Sequence, residues 1–459
     1  MSFLDVGIRT RHELEEMTES LNTLQKKGYD MFKQRKNLFI TGGAGCGKTY
    51  LMNCIIKYCK LNNKSIAVTS TTGISATLLN GQTIHSWSGL QILDKSLNYY
   101  KAIINRSKVY KDRWQLTDVL LIDEISMMDI KLFESLEQIA RELRENSSIF
   151  GGLQVIFGGD FCQLQPVKED KYCFQSDMWR LIPKVIVNLT NSIRHSEDIQ
   201  FNDFLRKIRF GVYDNKYNEK IKECMERKID LNAEIKPTKL YSYKTDVNAI
   251  NNNELQKLIV NGNELQTYAS TETFSGSCTR VTENKRKNVI ANFYKNSNYQ
   301  QTLHVCKDLQ VMCIRNLPEE NLVNGSRGVV TNFSDDSNKY PIVKFLNGEE
   351  IVMNPIKYEA KVDENISLVV NQIPLMIAYA VTIHKSQGQT LDMVQTNLGH
   401  KIFAYGQTYT ALSRCKTFDA LYLEDFDKSK ILIHPEVRNY YVTLIKNMRK
   451  VRQVAHTAN

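Results

Sequence analysis

Short apolar runs, each closed by small or acidic residues, recur along the first part of the chain. Leu38–Ile40, Ile66–Val68, Val119–Ile122 and Leu153–Phe157 lack the polar alternation of a sheet with one wet face. They read as strands buried on both faces, as in a parallel sheet. Stretches with apolar residues at helical spacing lie between them. Leu14, Met17, Leu21 and Leu24 mark residues 11–35 as helical, Tyr50–Lys60 predicts a second helix, and Phe133, Leu136, Ile139, Ala140 and Leu143 form the stripe of a third. This alternation predicts an α/β chain. From about 305 to 372 the pattern becomes β-rich, and PIVKFLNGEEIVM reads as a hairpin with Asn347–Gly348 in a type I′ turn. Asn324–Gly325 predicts another turn of that kind. Residues 91–116 carry six Lys or Arg and predict helix and loop, a small insertion in the first domain. The tail Pro435–Val451 predicts a basic helix with Tyr440, Tyr441, Leu444, Ile445 and Met448 at core-like spacing, assigned to packing.

The strand Leu38–Ile40 runs into GGAGCGKT and then into a helix. That strand–GxxxxGK[ST]–helix order is the pattern of a phosphate-binding loop. Glycines at 42, 43, 45 and 47 let backbone N–H groups turn inward around an anion. The helix N-terminus adds partial positive charge at the same point. Lys48 is placed to reach the β- and γ-phosphates, and the Thr49 hydroxyl to ligate Mg²⁺. Upstream, Gln25 either pairs with an adenine edge or sits on the surface.

Other strand ends carry chemistry too. Thr69–Thr72 and Gly73 crowd hydroxyls and a flexible residue where open α/β sheets place ligands, which suits a sugar–phosphate backbone. His85, Ser86 and Trp87 follow, and the two rings either stack beside a nucleic-acid strand or pack in the core. Val119–Ile122 ends in Asp123–Glu124; downstream of a phosphate loop, Asp123 suits Mg²⁺ and Glu124 suits the attacking water. The fourth strand ends in Gly158–Gly159–Asp160, and Gln163 offers a neutral amide that can sense a γ-phosphate.

At 459 residues the chain is long enough for two or more domains, and 42% hydrophobic with 24% charged residues is a globular composition. A net charge of +10 leans towards a polyanionic partner. The ten cysteines form no C-x-x-C pair and no zinc spacing, as expected of reduced thiols in an intracellular protein. No apolar run approaches the roughly 18 residues of a membrane helix, and the first residues lack a signal core.

With these motifs in order the chain resembles the petite-integration-frequency (Pif-type) DNA helicases, kin of the RecD-like enzymes in superfamily one, type B. GGAGCGKT, TSTTGISATLLNGQTIHSWSGL, LLIDEISMMD and FGGLQVIFGGDFCQLQPV resemble that family's motifs I, Ia/Ib, II and III. FESLEQIARELRENSSIFGG resembles the family's signature segment. LTNSIRHSED resembles motif IV, with His195 where the family commonly has Gln. IPLMIAYAVTIHKSQGQTLD and GQTYTALSRCK resemble motifs V and VI. Two departures stand out: Asp308–Leu309 replaces a usual Gly-Ala, and Gln165 replaces a proline. The likeness runs from about Leu24 to about Leu423.

The resemblance implies two RecA-like domains with parallel sheets. The first, 24–188, carries a short 1B insertion near 88–116 and follows a helical segment, 1–23. The second, 189–304 and 373–432, is split by an SH3-like 2B domain at 305–372, and a C-terminal helix occupies 433–459. Gln25, Gly42, Gly43, Ala44, Gly45, Cys46, Gly47, Lys48, Thr49, Tyr50, Gln387 and Gly388 are expected around ATP, with Mg²⁺ on Thr49 and Asp123. Lys48, Glu124, Gln163, Arg194 and Arg414 are expected to carry catalysis, the two arginines at the γ-phosphate. Thr71, Thr72, Gly73, His85, Ser86, Trp87, His384, Lys385 and Ser386 are expected on DNA. The implied activity is ATP-driven 5′-to-3′ movement on single-stranded DNA with unwinding of forked duplex, by a monomer serving replication, repair or telomere-type maintenance. A nuclear site is expected, with a viral replication site or a mitochondrion as alternatives. A translocase that barely unwinds, and an inactive nucleic-acid-binding module, share the same motifs.

Overall fold

In the computed structural model of this chain, residues 3–90, 96–166, 171–230, 233–276, 282–362 and 366–457 are described. Six strands build a first sheet: β1 (Asn37–Gly42), β2 (Ile66–Ser70), β3 (Gln82–Thr83), β4 (Val119–Asp123), β5 (Gln154–Gly158) and β6 (Lys184–Leu189). Their spatial order is β3-β2-β4-β5-β1-β6, and every neighbouring pair is parallel. Successive residues of a strand face opposite sides. Leu38, Ile40, Val119, Leu121 and Ile156 therefore enter one core, beneath the N-terminal helices and Lys48–Leu61. Phe39, Leu120, Ile122, Val155 and Phe157 enter the other, with Phe133, Leu136 and Trp179.

A second sheet begins with β7 (Thr238–Tyr241). The chain then leaves it through β8 (Gln266–Ala269), β9 (Thr271–Gly276), β10 (Thr302–Val305), β11 (Gln310–Cys313), β12 (Arg327–Phe333), β13 (Pro341–Phe345), β14 (Glu350–Val352), β15 (Ile356–Lys361), β16 (Ile366–Gln372) and β17 (Leu375–Ile377). It returns in β18 (Ala380–Thr382), β19 (Val394–Leu398) and β20 (Leu421–Phe426). The second parallel sheet has the order β18-β7-β19-β20. The excursion forms antiparallel sheets of order β14-β13-β12-β11-β17, β15-β16-β9 and β10-β8.

Local chemistry corrects four expectations. Residues 11–35 are two helices, Phe3–Glu19 and Thr23–Lys33. Asn22 stops the continuous helix by capping the second: its side chain accepts from Leu24 N–H (3.1 Å) and Gln25 N–H (3.0 Å), while Gln25 Oε1 accepts from Asn22 N–H (3.0 Å). The Asn347–Gly348 turn is not type I′, which needs positive φ at both residues; only Gly348 has it, at +90°. Phe345 accepts from Gly348 N–H (3.0 Å) and donates to Glu349 (2.8 Å), the pattern of a type I turn with a glycine bulge. Asn324–Gly325 likewise has only Gly325 at positive φ, +102°, and Ser326 N–H donates to Val323 O (2.9 Å). The antiparallel region also exceeds 305–372, because β9 pairs with β16 and β17 pairs with β11. The intervening helix Glu283–Asn296 hides β8–β10 from a scan for consecutive strands. Asp308 stands at φ +63°, a conformation Asp tolerates better than most residues.

The insertion is a pair of helices, Leu97–Arg106 and Lys108–Leu116. Trp114 is fully buried and donates to Ser88 O (3.1 Å); Arg113 reaches Ser86 O (3.1 Å), Trp87 O (3.3 Å) and, in the antiparallel region, Val362 O (3.3 Å).

The C-terminal helix Pro435–Thr457 returns to the first sheet. Tyr440 stacks on Phe174 (centroids 4.5 Å, 24°) and accepts from Trp179 Nε1 (3.2 Å). Tyr441 is wholly buried and does more than fill space. Its hydroxyl donates to Asp160 Oδ1 (3.1 Å) and accepts from Thr41 Oγ1 (2.7 Å) and Phe161 N–H (3.2 Å). Tyr441→Phe strands the Thr41 hydroxyl and the Phe161 N–H without water. It is expected to lower unfolding stability by roughly 1–3 kcal/mol in urea melts, and an unchanged midpoint would remove this role.

Candidate nucleotide site between two parallel sheets

Gly42, Gly45 and Gly47 have positive φ of +143°, +72° and +82°. The last two are also crowded: a Cβ on Gly45 would lie 2.4 Å from Arg194 Cβ, and one on Gly47 2.4 Å from Gln25 Nε2. The loop is thus cradled by the helix carrying Gln25 and by the segment after β6. Ile193 N–H donates to Gly45 O (2.9 Å), and Ala44 N–H donates to Tyr409 Oη (2.9 Å), from the helix Gln407–Leu412. Lys48 Nζ lies over the loop, donating to the carbonyls of Gly42 (2.8 Å) and Gly43 (2.9 Å). Cys46 is buried in the loop, and Thr49 is exposed at the helix start.

Asp123 and Glu124 end β4 beside the loop. Asp123 is 6% exposed and accepts from Ser75 Oγ (2.8 Å); burial raises its carboxyl, with the Ser75 bond and Lys48 opposing. Glu124 holds a left-handed backbone, φ +53°, and its Oε2 accepts from Gln387 Nε2 (2.8 Å), out of the second sheet's lobe. Burial, and then Asp123, push Glu124 up to about 7. Asp123, buried, and Glu124, half-buried, set two carboxylate groups side by side next to the phosphate loop, hard oxygen donors of the kind a divalent cation takes. Among the described residues no cluster of three protein ligands forms, so Mg²⁺ here would rest on Asp123, Thr49 and phosphate oxygens.

Asp160 follows β5 and is wholly buried. Arg209, from the helix Ile199–Arg209, grips it with Nε to Oδ2 and Nη2 to Oδ1, both 2.9 Å. Burial pushes this carboxyl up, and Arg209 more than reverses the effect, so it stays below the ordinary range. Gln163 is buried nearby, its N–H on Asp160 O (2.9 Å).

Arg194 and Arg414 converge on the same joint. Arg194 Nη1 donates to Ser413 O (2.9 Å). Arg414 is 2% exposed and donates to Thr410 O (3.0 Å), Ser386 O and Gln389 O (both 3.3 Å) and Ser413 Oγ (2.8 Å). Burial lowers both, Arg194 to about 9 with Arg414 adding repulsion, and Arg414 to about 10 with Glu124 opposing; both stay cationic at neutral pH. His195 bridges Ser192 Oγ (Nδ1, 2.7 Å) and Cys415 O (Nε2, 3.0 Å). Burial, then Arg194, holds its imidazole down to about 4, so it is neutral. A phosphate-binding loop, two strand-end carboxylates and two cations from the facing lobe thus surround one cleft.

A profile of the PIF1-like helicases matches residues 20–219. The ATP-dependent DNA helicase PIF1 of Xenopus laevis is 32% identical over 95% of this chain, which spans 66% of that protein. The crystal structure of Pif1 helicase from Candida albicans is 32% identical, covers 92% of this chain and 99% of that one, and has a TM-score of 0.73. Pif1 helicase from Bacteroides in complex with ADP-AlF3 and ssDNA is 26% identical, with 94% and 97% covered and a TM-score of 0.59. This chain belongs to the PIF1-like helicase family.

The structure brings Lys48, Asp123, Glu124, Arg194, Gln387 and Arg414 together at this joint, with Gln163 buried beside Asp160. Gln25 is drawn in as well, but its amide is engaged by its own helix cap and by Gly47 O (3.1 Å). Tyr50 instead bonds Ser20 Oγ (2.6 Å) on the N-terminal helix. Gly388 has φ +80° beside Leu78.

The residues assigned to DNA divide. Thr71 Oγ1 donates to Glu124 O (2.7 Å), Thr72 Oγ1 accepts from Ser75 N–H (3.3 Å), and Gly73 starts a short helix. His85, Ser86, His384 and Lys385 are partly exposed. Trp87 is not available for stacking: it is 3% exposed and packs on Trp114 at 4.5 Å. Ser386 is wholly buried, its hydroxyl on Ile383 O (2.9 Å), because Arg414 pulls this turn inward. Tyr409, Asp160, Arg209 and Tyr441 were missed as site residues. Tyr409 and Asp160 lie inside motifs already quoted, but their partners sit more than 40 residues away, beyond any local pattern.

Of nine cysteines seen, all are buried free thiols; Cys278 lies outside the described residues. Among the described residues no helix is long and apolar enough to cross a membrane.

The neutral His195 makes stability acid-sensitive. The unfolded chain takes this proton below about 6.5, the folded one only near 4, so stability is complete above that window and is lost as pH falls through it. His195→Gln is expected to flatten this part of the pH–stability curve. An unaltered curve would show that His195 does not set it.

Proposed function

We propose that this chain is an ATP-driven DNA helicase that moves 5′-to-3′ on single-stranded DNA and opens forked duplex. The observation that carries the reading is the joint itself. Lys48, Thr49, Asp123 and Glu124 come from one parallel-sheet lobe, while Arg194, Gln387 and Arg414 face them from the other side. The Glu124–Gln387 hydrogen bond crosses between the sheets at 2.8 Å. Loop N–H groups and Lys48 hold the β- and γ-phosphates, and Mg²⁺ on Thr49 and Asp123 supplies Lewis-acid charge when bound. Glu124 orients and deprotonates the attacking water. Arg194 and Arg414 offset charge on the transferring group, and Gln163 and Gln387 register its presence. Loss of the γ-phosphate removes the anion that both lobes grip, so the cleft opens and closes once per ATP.

The Bacteroides relative's complex with ADP-AlF3 and ssDNA supports the same pairing of ligands here. The first domain follows as 24–188; the second is 189–432 interrupted by an antiparallel unit that takes in β9 and β17 and so is wider than 305–372. Grip on the strand is to phosphates and stacked bases, hence tolerant of sequence and weakened by salt. The monomer is the working unit.

The deciding experiment is unwinding of duplexes with a 5′ or a 3′ tail in ATP and Mg²⁺: opening only of the 5′-tailed substrate is expected, and opening of neither would overturn the reading. Lys48→Ala and Glu124→Gln should both lose unwinding, with Glu124→Gln still binding ATP. Because Glu124 must be ionised to act, kcat/KM should fall as pH drops below about 7. A flat profile between pH 6 and 8 would speak against this base. Arg414→Lys should retain single-strand binding while DNA-stimulated hydrolysis falls about a hundred-fold or more; full stimulation would remove its assignment.

A further inference from the structure

Large aromatics in this chain are mostly core, and one pair breaks the rule. Tyr243 is 47% exposed and Phe403 57% exposed, yet their rings stack on each other, centroids 5.3 Å apart and 28° from parallel. Neither belongs to a hydrophobic core cluster. Holding two rings together in water, away from the core, leaves apolar area exposed that burial would stabilise by about 25 cal/mol per Å².

Their position is set by the second parallel sheet. Tyr241 at the end of β7 pairs with Thr382 at the end of β18, and Leu240 pairs with Thr396 of β19. Three adjacent parallel strands therefore release their following loops at one edge, where α/β sheets bind ligands. The loop after β18 carries His384 and Lys385, the one after β7 carries Tyr243, and the one after β19 carries Phe403. Lys244, exposed, opens the next helix. Burial lowers the Lys385 ammonium, and repulsion from nearby Lys244 lowers it further, so two cations share this edge. Lys401, just before Phe403, is paired with Asp246 (3.0 Å).

We propose that Tyr243 and Phe403 form a stacking platform on which a base of single-stranded DNA lies, while Lys244 and Lys385 hold the adjoining phosphates. This rests on the helicase reading and adds a base-contact site to it. A π-face accepts any base, so the platform grips without reading sequence. The stacked arrangement also preorganises it, since each ring fixes the other before the strand arrives. The platform stands on the lobe opposite Thr71–Gly73, which gives the strand one hold on each side of the nucleotide cleft.

The test compares a labelled dT oligonucleotide with the same oligonucleotide made abasic throughout, at one fixed salt concentration. The wild-type chain should bind the dT strand about ten-fold or more tightly than the abasic strand. Tyr243→Ala/Phe403→Ala should bind dT about ten-fold more weakly and lose most of that discrimination, while Tyr243→Trp should restore it. Quenching of 2-aminopurine in the strand by the wild-type chain reports stacking without any substitution. Equal binding of dT by parent and double variant, or an equal loss for dT and abasic strands, overturns the platform. A chain that binds no single strand overturns the helicase reading along with it; one that binds normally without these two rings overturns the platform alone.

Discussion

Two carboxylates at the place where the parallel-sheet lobes meet, Glu124 and Asp160, each take a side-chain donor from beyond the first sheet. Glu124 is met by Gln387, and Asp160 by Arg209. An ionised group out of water is tolerable only when paired and hydrogen-bonded. The first lobe therefore cannot bury these strand ends cheaply unless the second lobe supplies a donor. These contacts tie the two lobes together at the strand ends. The phosphate loop likewise touches Arg194 and Tyr409, which come from distant parts of the chain.

The two pairs differ in kind, and the difference suits a cleft that works by opening. Asp160–Arg209 is a bidentate charge pair reinforced by Tyr441, and its carboxyl lies below the ordinary range. The hydrogen bond to Glu124 comes from a neutral amide, and burial and Asp123 outweigh Lys48 and Arg414 to raise it to about 7. One contact is a firm tether between lobes. The other is a single hydrogen bond to a neutral amide. The C-terminal helix belongs to the tether, since Tyr441 joins Thr41 of the phosphate-loop strand to Asp160.

Arg414 shows how a side chain serves two ends. Its guanidinium ties the Ser386 and Gln389 carbonyls to its own helix, and so it shapes the turn that presents Gln387 to Glu124. The same tie draws Ser386 out of solvent and leaves His384 and Lys385 towards it. The turn therefore places Gln387, on Glu124, next to His384 and Lys385, which face solvent. Tyr243 and Phe403 stand at the same sheet edge.

The sequence by itself determined the parallel-strand architecture and pointed to the residues proposed for the nucleotide. Uniformly apolar five-residue runs bury both faces, and a glycine-rich turn with Lys48 and Thr49 has few other uses. These are local signals, readable within a dozen residues. Helix punctuation was legible in principle through Asn22 and Gln25; the turn type was not, because whether Asn347 joins Gly348 at positive φ is settled only in the folded backbone. Only the tertiary structure decided which polar groups lose water. Trp87 and Ser386 became interior, Tyr441 became a hydrogen-bonding strut, and Asp160 acquired Arg209, because burial and partnership depend on residues far away in the chain. Strand order in the antiparallel region was likewise settled by pairing across a helix, where hydrogen-bond register rather than local propensity chooses the neighbour.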